Sequence, residues 1–270
     1  MNPPILIGCG NLGENILRGF LDNKKKIVVL DNNQKILNKL RKQKSNFIKI
    51  INKVDDISET KNLDTIMLCV KPKDVENILK KIAFFFKKDI KIISFVAGLS
   101  EKRIKSFFNY KINVIRLMPN LLIKINASTT GAFSSKLKLS EKKKIQNQLS
   151  FMGKVIWLKN EEQMNFFTSF FGGGPAYVSL FIEVLTEILI KKKFDRTISK
   201  KLVFNLIDGT LTLLKTNNFD CNELMNKVAS KKGTTEAALK ILNKNKNFYS
   251  LIQKAILAAE QKSKKISKGL

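Results

Sequence analysis

The first 160 residues alternate apolar runs with amphipathic segments, and this alternation limits the possible folds more than any other feature of the chain. The apolar runs are short, rich in β-branched residues and nearly continuous, which is typical of strands buried on both faces of a sheet. They cover residues 4–8, 26–31, 65–70, 90–97, 112–118 and 154–158. Strand–helix alternation of this kind predicts an α/β fold with a doubly wound parallel sheet, and the run at 154–158 is expected to close one edge.

From about Glu161 the pattern changes to helices alone. Six are predicted, at residues 161–171, 175–190, 199–215, 221–229, 235–243 and 247–267. The second has apolar residues on most of its circumference, so it needs more than one packing partner. About a hundred residues of such helices make a thin core, which predicts a homodimer with interleaved helices. The expected domains are therefore residues 1–160, a sheet domain, and residues 161–270, an all-α dimerisation domain.

The sequence ILIGCGNLG places a glycine-rich turn directly after the first predicted strand. Gly8 permits the tight turn, Gly10 lets a pyrophosphate approach the backbone, and Gly13 permits close helix–strand packing. This is the Rossmann dinucleotide fingerprint, so Gly8–Gly13, including Asn11 and Leu12, is the predicted cofactor loop. Asp31 ends the second strand, where a carboxylate holds the adenosine ribose hydroxyls and would repel a 2′-phosphate. NADH is therefore expected to serve at least as well as NADPH.

The chain contains no histidine. The usual general base, the commonest zinc ligand and the middle member of most nucleophilic triads are thereby excluded. The three cysteines, Cys9, Cys69 and Cys221, are widely spaced and form no metal motif. No metal site is predicted, and with no leader segment in the sequence a reducing, cytoplasmic setting is expected. The chemistry must need little acid–base help from side chains.

The net charge of +28 raises the question of an anionic partner. A strongly basic chain can bind nucleic acid or an anionic membrane. Here the lysines lie in short runs at the ends of apolar segments, without a long basic tract or regular aromatic interleaving, so no nucleic-acid partner is expected. The most apolar stretch, AYVSLFIEVLTEILI, carries Glu183 and Glu187 and is too short to span a bilayer, so no membrane partner is expected either.

Near the C-terminus, Lys231–Thr235 interrupts a helical pattern and starts a new helix, which Thr234 or Thr235 could cap. A helix N-terminus with free N–H groups, a glycine and two lysines beside it would suit a carboxylate. These residues alone favour a plain turn over a binding site.

The chain resembles the pyrroline-5-carboxylate reductase family over essentially its full length. Six segments in order carry the resemblance: IGCGNLG, CVKP (69–72), SFVAG (94–98), RLMPN (116–120), GGGPAY (172–177) and KGTTEAAL (232–239). Each is modest alone, whereas their order and spacing together are highly specific. The resemblance implies an N-terminal Rossmann domain and a helical domain that interlocks in a homodimer, with further assembly into a decamer. It also implies reduction of L-1-pyrroline-5-carboxylate to L-proline by NADPH or NADH, as the last step of proline biosynthesis.

The resemblance also implies site residues. Val70, Lys71 and Pro72 would line the cofactor pocket, and Asn120 would lie near the nicotinamide. The backbone around Gly233 and Thr234 would bind the substrate carboxylate, and Thr235 would place its hydroxyl beside the ring nitrogen, as the catalytic residue. The resemblance thus reverses the reading of this loop from turn to substrate site.

The chain departs from the family pattern in the same loop. Family members usually read Ser-Pro-Gly-Gly-Thr-Thr, where this chain has Lys231 and Lys232 in place of the proline and the first glycine. This departure keeps open a nucleotide-binding paralogue without activity. A second alternative is a two-domain dehydrogenase of another imine or of a hydroxyacid. Oxidation of a hydroxyacid typically requires a lysine base on a helix after the sheet domain. No lysine lies between Lys159 and Lys191, which counts against the hydroxyacid alternative.

Overall fold

A computed structural model describes residues 2–43, 45–59, 64–85, 90–218 and 220–268. The chain divides into two compact units. The first unit comprises Met1–Gly173 together with Ala258–Leu270, and the second comprises Gly174–Leu257.

The first unit is built on one eight-stranded sheet. Its strands are β1 (Ile5–Ile7), β2 (Ile27–Leu30), β3 (Ile48–Ile51), β4 (Thr65–Leu68), β5 (Lys91–Ser94), β6 (Asn113–Met118), β7 (Ser128–Phe133) and β8 (Gly153–Trp157). The order across the sheet is β3-β2-β1-β4-β5-β6-β7-β8, and all neighbours are parallel except β6 and β7. The first six strands follow the order of a dinucleotide-binding fold, which confirms the predicted fold class.

The helices described between and after these strands in the first unit are α1 (Asn11–Asp22), α2 (Gln34–Lys42), α3 (Val75–Phe85), α4 (Glu101–Lys105), α5 (Leu139–Gln148) and α6 (Gln163–Phe167). Successive side chains of a strand point to opposite faces of the sheet, and the inner strands have apolar residues on both, so both faces have to be covered by helices. Leu6 packs with Ile16 and Phe20 of α1 on one face, whereas Ile5 and Ile7 pack with residues of α3 and α4 on the other. This double covering explains why the central strands are apolar on both sides.

Two strands were not predicted. β3 lies at the sheet edge with Lys49 exposed, so it lacks the continuous apolar run of the inner strands. β7 reads STTGAF and is rich in hydroxyl side chains, although Ser128, Thr130 and Ala132 are fully buried. The predicted closing strand at 154–158 forms as β8 at the edge of the sheet.

The second unit is helical. Its helices are α7 (Gly174–Lys191), α8 (Arg196–Thr216), α9 (Cys221–Val228), α10 (Thr234–Asn243) and the first part of α11 (Asn247–Lys268). α8 begins at Arg196 rather than at residue 199 because Asp195 caps it, its Oδ1 accepting the N–H groups of Thr197 and Ile198 at 2.8 and 3.0 Å.

The long helices of the second unit expose much apolar surface. Leu180 and Ile188 of α7 are 65% and 52% exposed, and Leu206 of α8 is 60% exposed. The apolar stretch that was expected to be too short for a membrane span is part of a longer helical segment. Among the described residues, this one segment, Gln163–Lys191, would be long and apolar enough to cross a membrane, and only 6% of its most apolar window is buried. Apolar surface of this extent marks an interaction surface.

Candidate cofactor and substrate sites

The glycine-rich loop joins β1 to α1 and requires glycine at two positions for steric reasons. Gly8 has φ +90°, and a Cβ there would lie 2.7 Å from the carbonyl oxygen of Cys69. A Cβ at Gly13 would lie 2.1 Å from the carbonyl oxygen of Gly8. Both positions therefore need glycine, the first for a backbone conformation that other residues rarely adopt and the second for close packing.

Gly10 is the N-cap of α1 and faces open space, since nothing lies within 4 Å of a Cβ placed there. No side chain caps the helix, and the N–H of Glu14 is the one that bonds back to the Gly10 carbonyl, at 2.8 Å. The N–H groups of Asn11, Leu12 and Gly13 therefore belong to the open first turn, where a helix favours an anion. The loop has the room and the donors that a pyrophosphate needs.

A cavity of about 460 Å³ adjoins this loop at the carboxyl ends of the strands. Gly8, Asp31 and Val70 are among its lining residues, and they follow β1, β2 and β4. β1 lies between β2 and β4, so the cavity is at the point where the strand order reverses, the usual ligand position in such sheets. Lys71 and Pro72 follow Val70 as exposed residues, and Lys71 is the N-cap of a short 3₁₀ turn, Pro72–Asp74.

The Asp31 carboxylate, expected to receive ribose hydroxyls, accepts two backbone hydrogen bonds. Its Oδ2 accepts the N–H of Cys9 at 2.6 Å, and its Oδ1 accepts the N–H of Asn33 at 2.7 Å. The residue is 8% exposed. Asp31 therefore ties the glycine-rich loop to the turn that follows β2. Burial and, next, this carboxylate raise the pKa of the Cys9 thiol to about 12.

Asn120 follows β6, and both polar atoms of its side chain are hydrogen-bonded to backbone groups. Its Oδ1 accepts the N–H of Leu122 at 3.1 Å, capping the 3₁₀ turn Leu121–Ile125, and its Nδ2 donates to the carbonyl oxygen of Phe171 at 3.0 Å. Its own N–H donates to Ser128 Oγ at 3.0 Å. Phe171 belongs to a π-helical turn, Thr168–Gly172, where the regular helical hydrogen bonds are interrupted. Asn120 thus joins the end of β6 to this turn.

An ion pair that the sequence reading missed lies on the same strand. The Arg116 guanidinium is buried and donates from Nη1 to Glu161 Oε1 at 2.8 Å. The same oxygen accepts the N–H of Glu101 at 2.6 Å. Glu161 therefore joins β6 to the start of α4. An arginine inside an otherwise apolar strand was the available signal, because a buried cation needs a partner. Among the described residues, no group of three or more potential ligands could hold a metal ion.

In the second unit, the loop before α10 has a specific backbone geometry. Lys232 has φ +62°, a left-handed conformation, at the position where the family usually has its first glycine. Its N–H donates to Glu236 Oε2 at 2.6 Å, and this bond, followed by the Lys240 ammonium, lowers the pKa of Glu236. The Gly233 N–H donates to the Ser230 carbonyl oxygen at 2.9 Å.

α10 begins at Thr234 with Gly233 as its N-cap, and no side chain caps it. The expectation that Thr234 or Thr235 caps this helix was therefore wrong: both threonines lie inside the first turn. Ala237 N–H bonds back to the Gly233 carbonyl at 3.2 Å, so the N–H groups of Thr234, Thr235 and Glu236 precede the first helical hydrogen bond. Such a helix end is suited to a carboxylate.

Comparisons with known proteins agree with this arrangement. Residues 161–266 match the family model "Pyrroline-5-carboxylate reductase dimerisation", and residues 5–98 match "NADP oxidoreductase coenzyme F420-dependent". Pyrroline-5-carboxylate reductase 1 of Bacillus subtilis is 30% identical over 210 residues, which cover 77% of this chain and 70% of that protein. The pyrroline-5-carboxylate reductase of Aquifex aeolicus is 27% identical over 97% of this chain and 96% of its own length.

The fold also matches solved structures. A pyrroline-5-carboxylate reductase from Coxiella burnetii superposes with a TM-score of 0.86 at 24% identity, with 98% of each chain covered. The Plasmodium falciparum pyrroline carboxylate reductase, solved with NADP bound, gives a TM-score of 0.82 at 23% identity, again over 98% of each chain. With a 30% identical relative covered over two thirds of its length and a family match across the helical region, the chain belongs to the pyrroline-5-carboxylate reductase family.

Proposed function

We propose that this protein reduces L-1-pyrroline-5-carboxylate to L-proline with NADPH or NADH, the last step of proline biosynthesis. The observation that carries the proposal is similarity to pyrroline-5-carboxylate reductases over nearly the whole chain, 97% of it for the Aquifex aeolicus protein. Two local features also fit such an enzyme. The glycine-rich loop has the close backbone packing that requires Gly8 and Gly13, and α10 begins directly after Gly233 without a side-chain cap.

At the cofactor end, Gly8, Gly10 and Gly13 shape a loop that accepts the pyrophosphate against the first turn of α1, where Asn11 and Leu12 contribute N–H groups. Asp31 and Val70 line the adjoining cavity. We assign this cavity to the adenosine end of the cofactor. Lys71 and Pro72, which follow Val70 in the chain, are assigned to the same cofactor pocket. We assign Asn120 to the nicotinamide end, where its side chain would act by fixing the Leu121–Ile125 and Thr168–Gly172 turns. The reduced nicotinamide supplies the hydride.

At the substrate end, we propose that the N–H groups around Gly233 and Thr234 bind the substrate carboxylate. Thr235 places its hydroxyl beside the ring nitrogen. A cyclic imine is basic enough to be protonated in water, and the iminium accepts hydride without a strong protein acid, which suits a chain without histidine. The protein's contribution is to orient two rings and to exclude water.

We propose a homodimer formed through the helical unit, with further assembly into a decamer, working in the cytoplasm without nucleic-acid or membrane partners. The match of residues 161–266 to a dimerisation model supports a homo-oligomer. The exposed apolar faces of α7 and α8 would then be covered by a second copy. On this proposal residues 1–160 form the cofactor domain and residues 161–270 the dimerisation and substrate domain.

One assay tests the proposed activity: oxidation of NADPH and of NADH by purified protein, with and without L-1-pyrroline-5-carboxylate. Substrate-dependent oxidation with formation of proline is the expected result. The second candidate, a nucleotide-binding paralogue, is favoured by the Lys231–Lys232 replacement. Folded protein that binds a cofactor and shows no turnover with either one would support that candidate instead.

A further inference from the structure

The negative charge at the end of β2 serves the backbone of the cofactor loop. Asp31 is 8% exposed, and each of its carboxylate oxygens accepts one backbone N–H, from Cys9 at 2.6 Å and from Asn33 at 2.7 Å. Cys9 lies between Gly8 and Gly10, inside the glycine-rich loop. Hydrogen bonds between a backbone N–H and an ionised carboxylate are among the stronger ones in proteins.

The Cys9 side chain is buried in the core, but few other backbone hydrogen bonds hold the described part of the loop at this point. Gly8 and Gly10 flank Cys9, and glycine has the largest conformational freedom of any residue, so the two flanking residues restrict the Cys9 peptide little. The Gly8 N–H bonds to the Leu30 carbonyl at 2.9 Å, and the Glu14 N–H bonds to Gly10 at 2.8 Å. Between these two bonds, Asp31 fixes the N–H of Cys9 from the end of the neighbouring strand, β2. The same carboxylate holds the Asn33 N–H and so fixes the start of α2.

We propose that Asp31 is a positioning residue that holds the glycine-rich loop in its cofactor-binding conformation, and that it does not select NADH over NADPH; this rests on the proposed use of a nicotinamide dinucleotide. The two roles predict opposite changes in NADPH affinity when the carboxylate is neutralised. Removing a repelling charge would strengthen NADPH binding. Removing a loop restraint weakens NADPH and NADH binding together, because both cofactors use the same pyrophosphate loop.

The test uses the full-length protein and measures dissociation constants of NADPH and NADH by fluorescence, without substrate. Asp31→Asn should weaken both by about tenfold, the effect of losing one hydrogen bond to a charged group. Asp31→Glu keeps the charge but moves the carboxylate, so it should weaken both as well. Asp22→Asn is the matched control: it removes an exposed carboxylate at the far end of α1, away from the cavity and the loop backbone, and should leave NADPH and NADH binding within about twofold.

A second measurement reads the restraint directly. Hydrogen exchange of the Cys9 amide in the cofactor-free protein should accelerate at least tenfold in Asp31→Asn and stay unchanged in Asp22→Asn, while the urea midpoint reports any global loss of stability. Stronger NADPH binding by Asp31→Asn, or unchanged Cys9 exchange, would overturn the proposal. If the unmodified protein bound neither cofactor, the proposed function would fail, and the exchange of Cys9 would still decide whether Asp31 restrains the loop.

Discussion

Asn120→Asp tests whether the side chain at this position has to donate a hydrogen bond. In the native protein Nδ2 donates to the Phe171 carbonyl at 3.0 Å, and Oδ1 accepts from Leu122 at 3.1 Å. Aspartate keeps the acceptor but turns a second oxygen towards the Phe171 carbonyl. At neutral pH the variant therefore loses one bond and leaves a carbonyl facing a carboxylate at a position 8% exposed. Together these should lower the free energy of unfolding by about 2 to 4 kcal/mol.

The pH dependence distinguishes this cause from simple misfitting. A protonated aspartic acid can donate its O–H to the Phe171 carbonyl, so the folded state raises the pKa of the new carboxyl group. A group with a raised pKa contributes stability below its unfolded pKa and loses it as the pH rises through the folded value. Urea unfolding should therefore show a smaller deficit at about pH 4.5 than at about pH 8, relative to native protein at the same pH.

Asn120→Ala is the matched control for this experiment. It removes both side-chain hydrogen bonds and introduces no titrating group, so its deficit should be the same at both pH values. An Asn120→Asp protein as stable as the native one at about pH 8 would refute the reasoning, and so would a deficit that does not change with pH.

Four further outcomes are expected. Thr235→Ala should lower kcat/KM about ten- to a hundredfold without changing cofactor affinity, since one hydrogen bond to a charged group is lost; an unchanged kcat/KM would reduce the loop to a plain turn. Replacing Lys231 and Lys232 together by Gln should raise KM in a salt-dependent manner and leave kcat unchanged, whereas a salt-independent KM would exclude electrostatic capture. Leu180→Asp, at an α7 position 65% exposed, should give monomers or unfolded chains by light scattering, and an intact dimer would place the interface elsewhere. Because burial raises the pKa of Cys9 from 9.0 to about 12, the free energy of unfolding should fall between pH 9 and pH 12, and Cys9→Ala should lessen that fall.

The sheet was predictable where its strands are buried on both faces. β1, β2 and β4 have all their residues buried and appear as continuous apolar runs. β3 and β7 do not. One is an edge strand, and the other buries hydroxyl groups that are hydrogen-bonded: Ser128 Oγ accepts the Asn120 N–H and lies 3.1 Å from Thr130 Oγ1. Sequence periodicity reports burial of apolar groups, so it cannot detect a strand whose buried side chains are polar and paired.

The site was predictable where the requirement is local. Gly8 and Gly13 follow from backbone sterics within one turn, which a single motif expresses. The partners of Asp31 and Asn120 depend on which distant backbone groups the fold leaves unpaired, the Cys9 N–H in one case and the Phe171 carbonyl in the other. The replacement at Lys232 was visible in the sequence, whereas its left-handed backbone and its bond to Glu236 were not.

The proposed chemistry explains why such backbone-holding residues matter in this chain. Without histidine, the protein has little to offer in proton transfer and has to accelerate the reaction by holding two rings in contact. Displacements of about 1 Å can cost such a reaction about a hundredfold in rate. The side chains of Asp31 and Asn120 each bind backbone N–H groups and so hold a loop in place. Substitutions at these two positions should therefore impair turnover although neither side chain takes part in the chemical step.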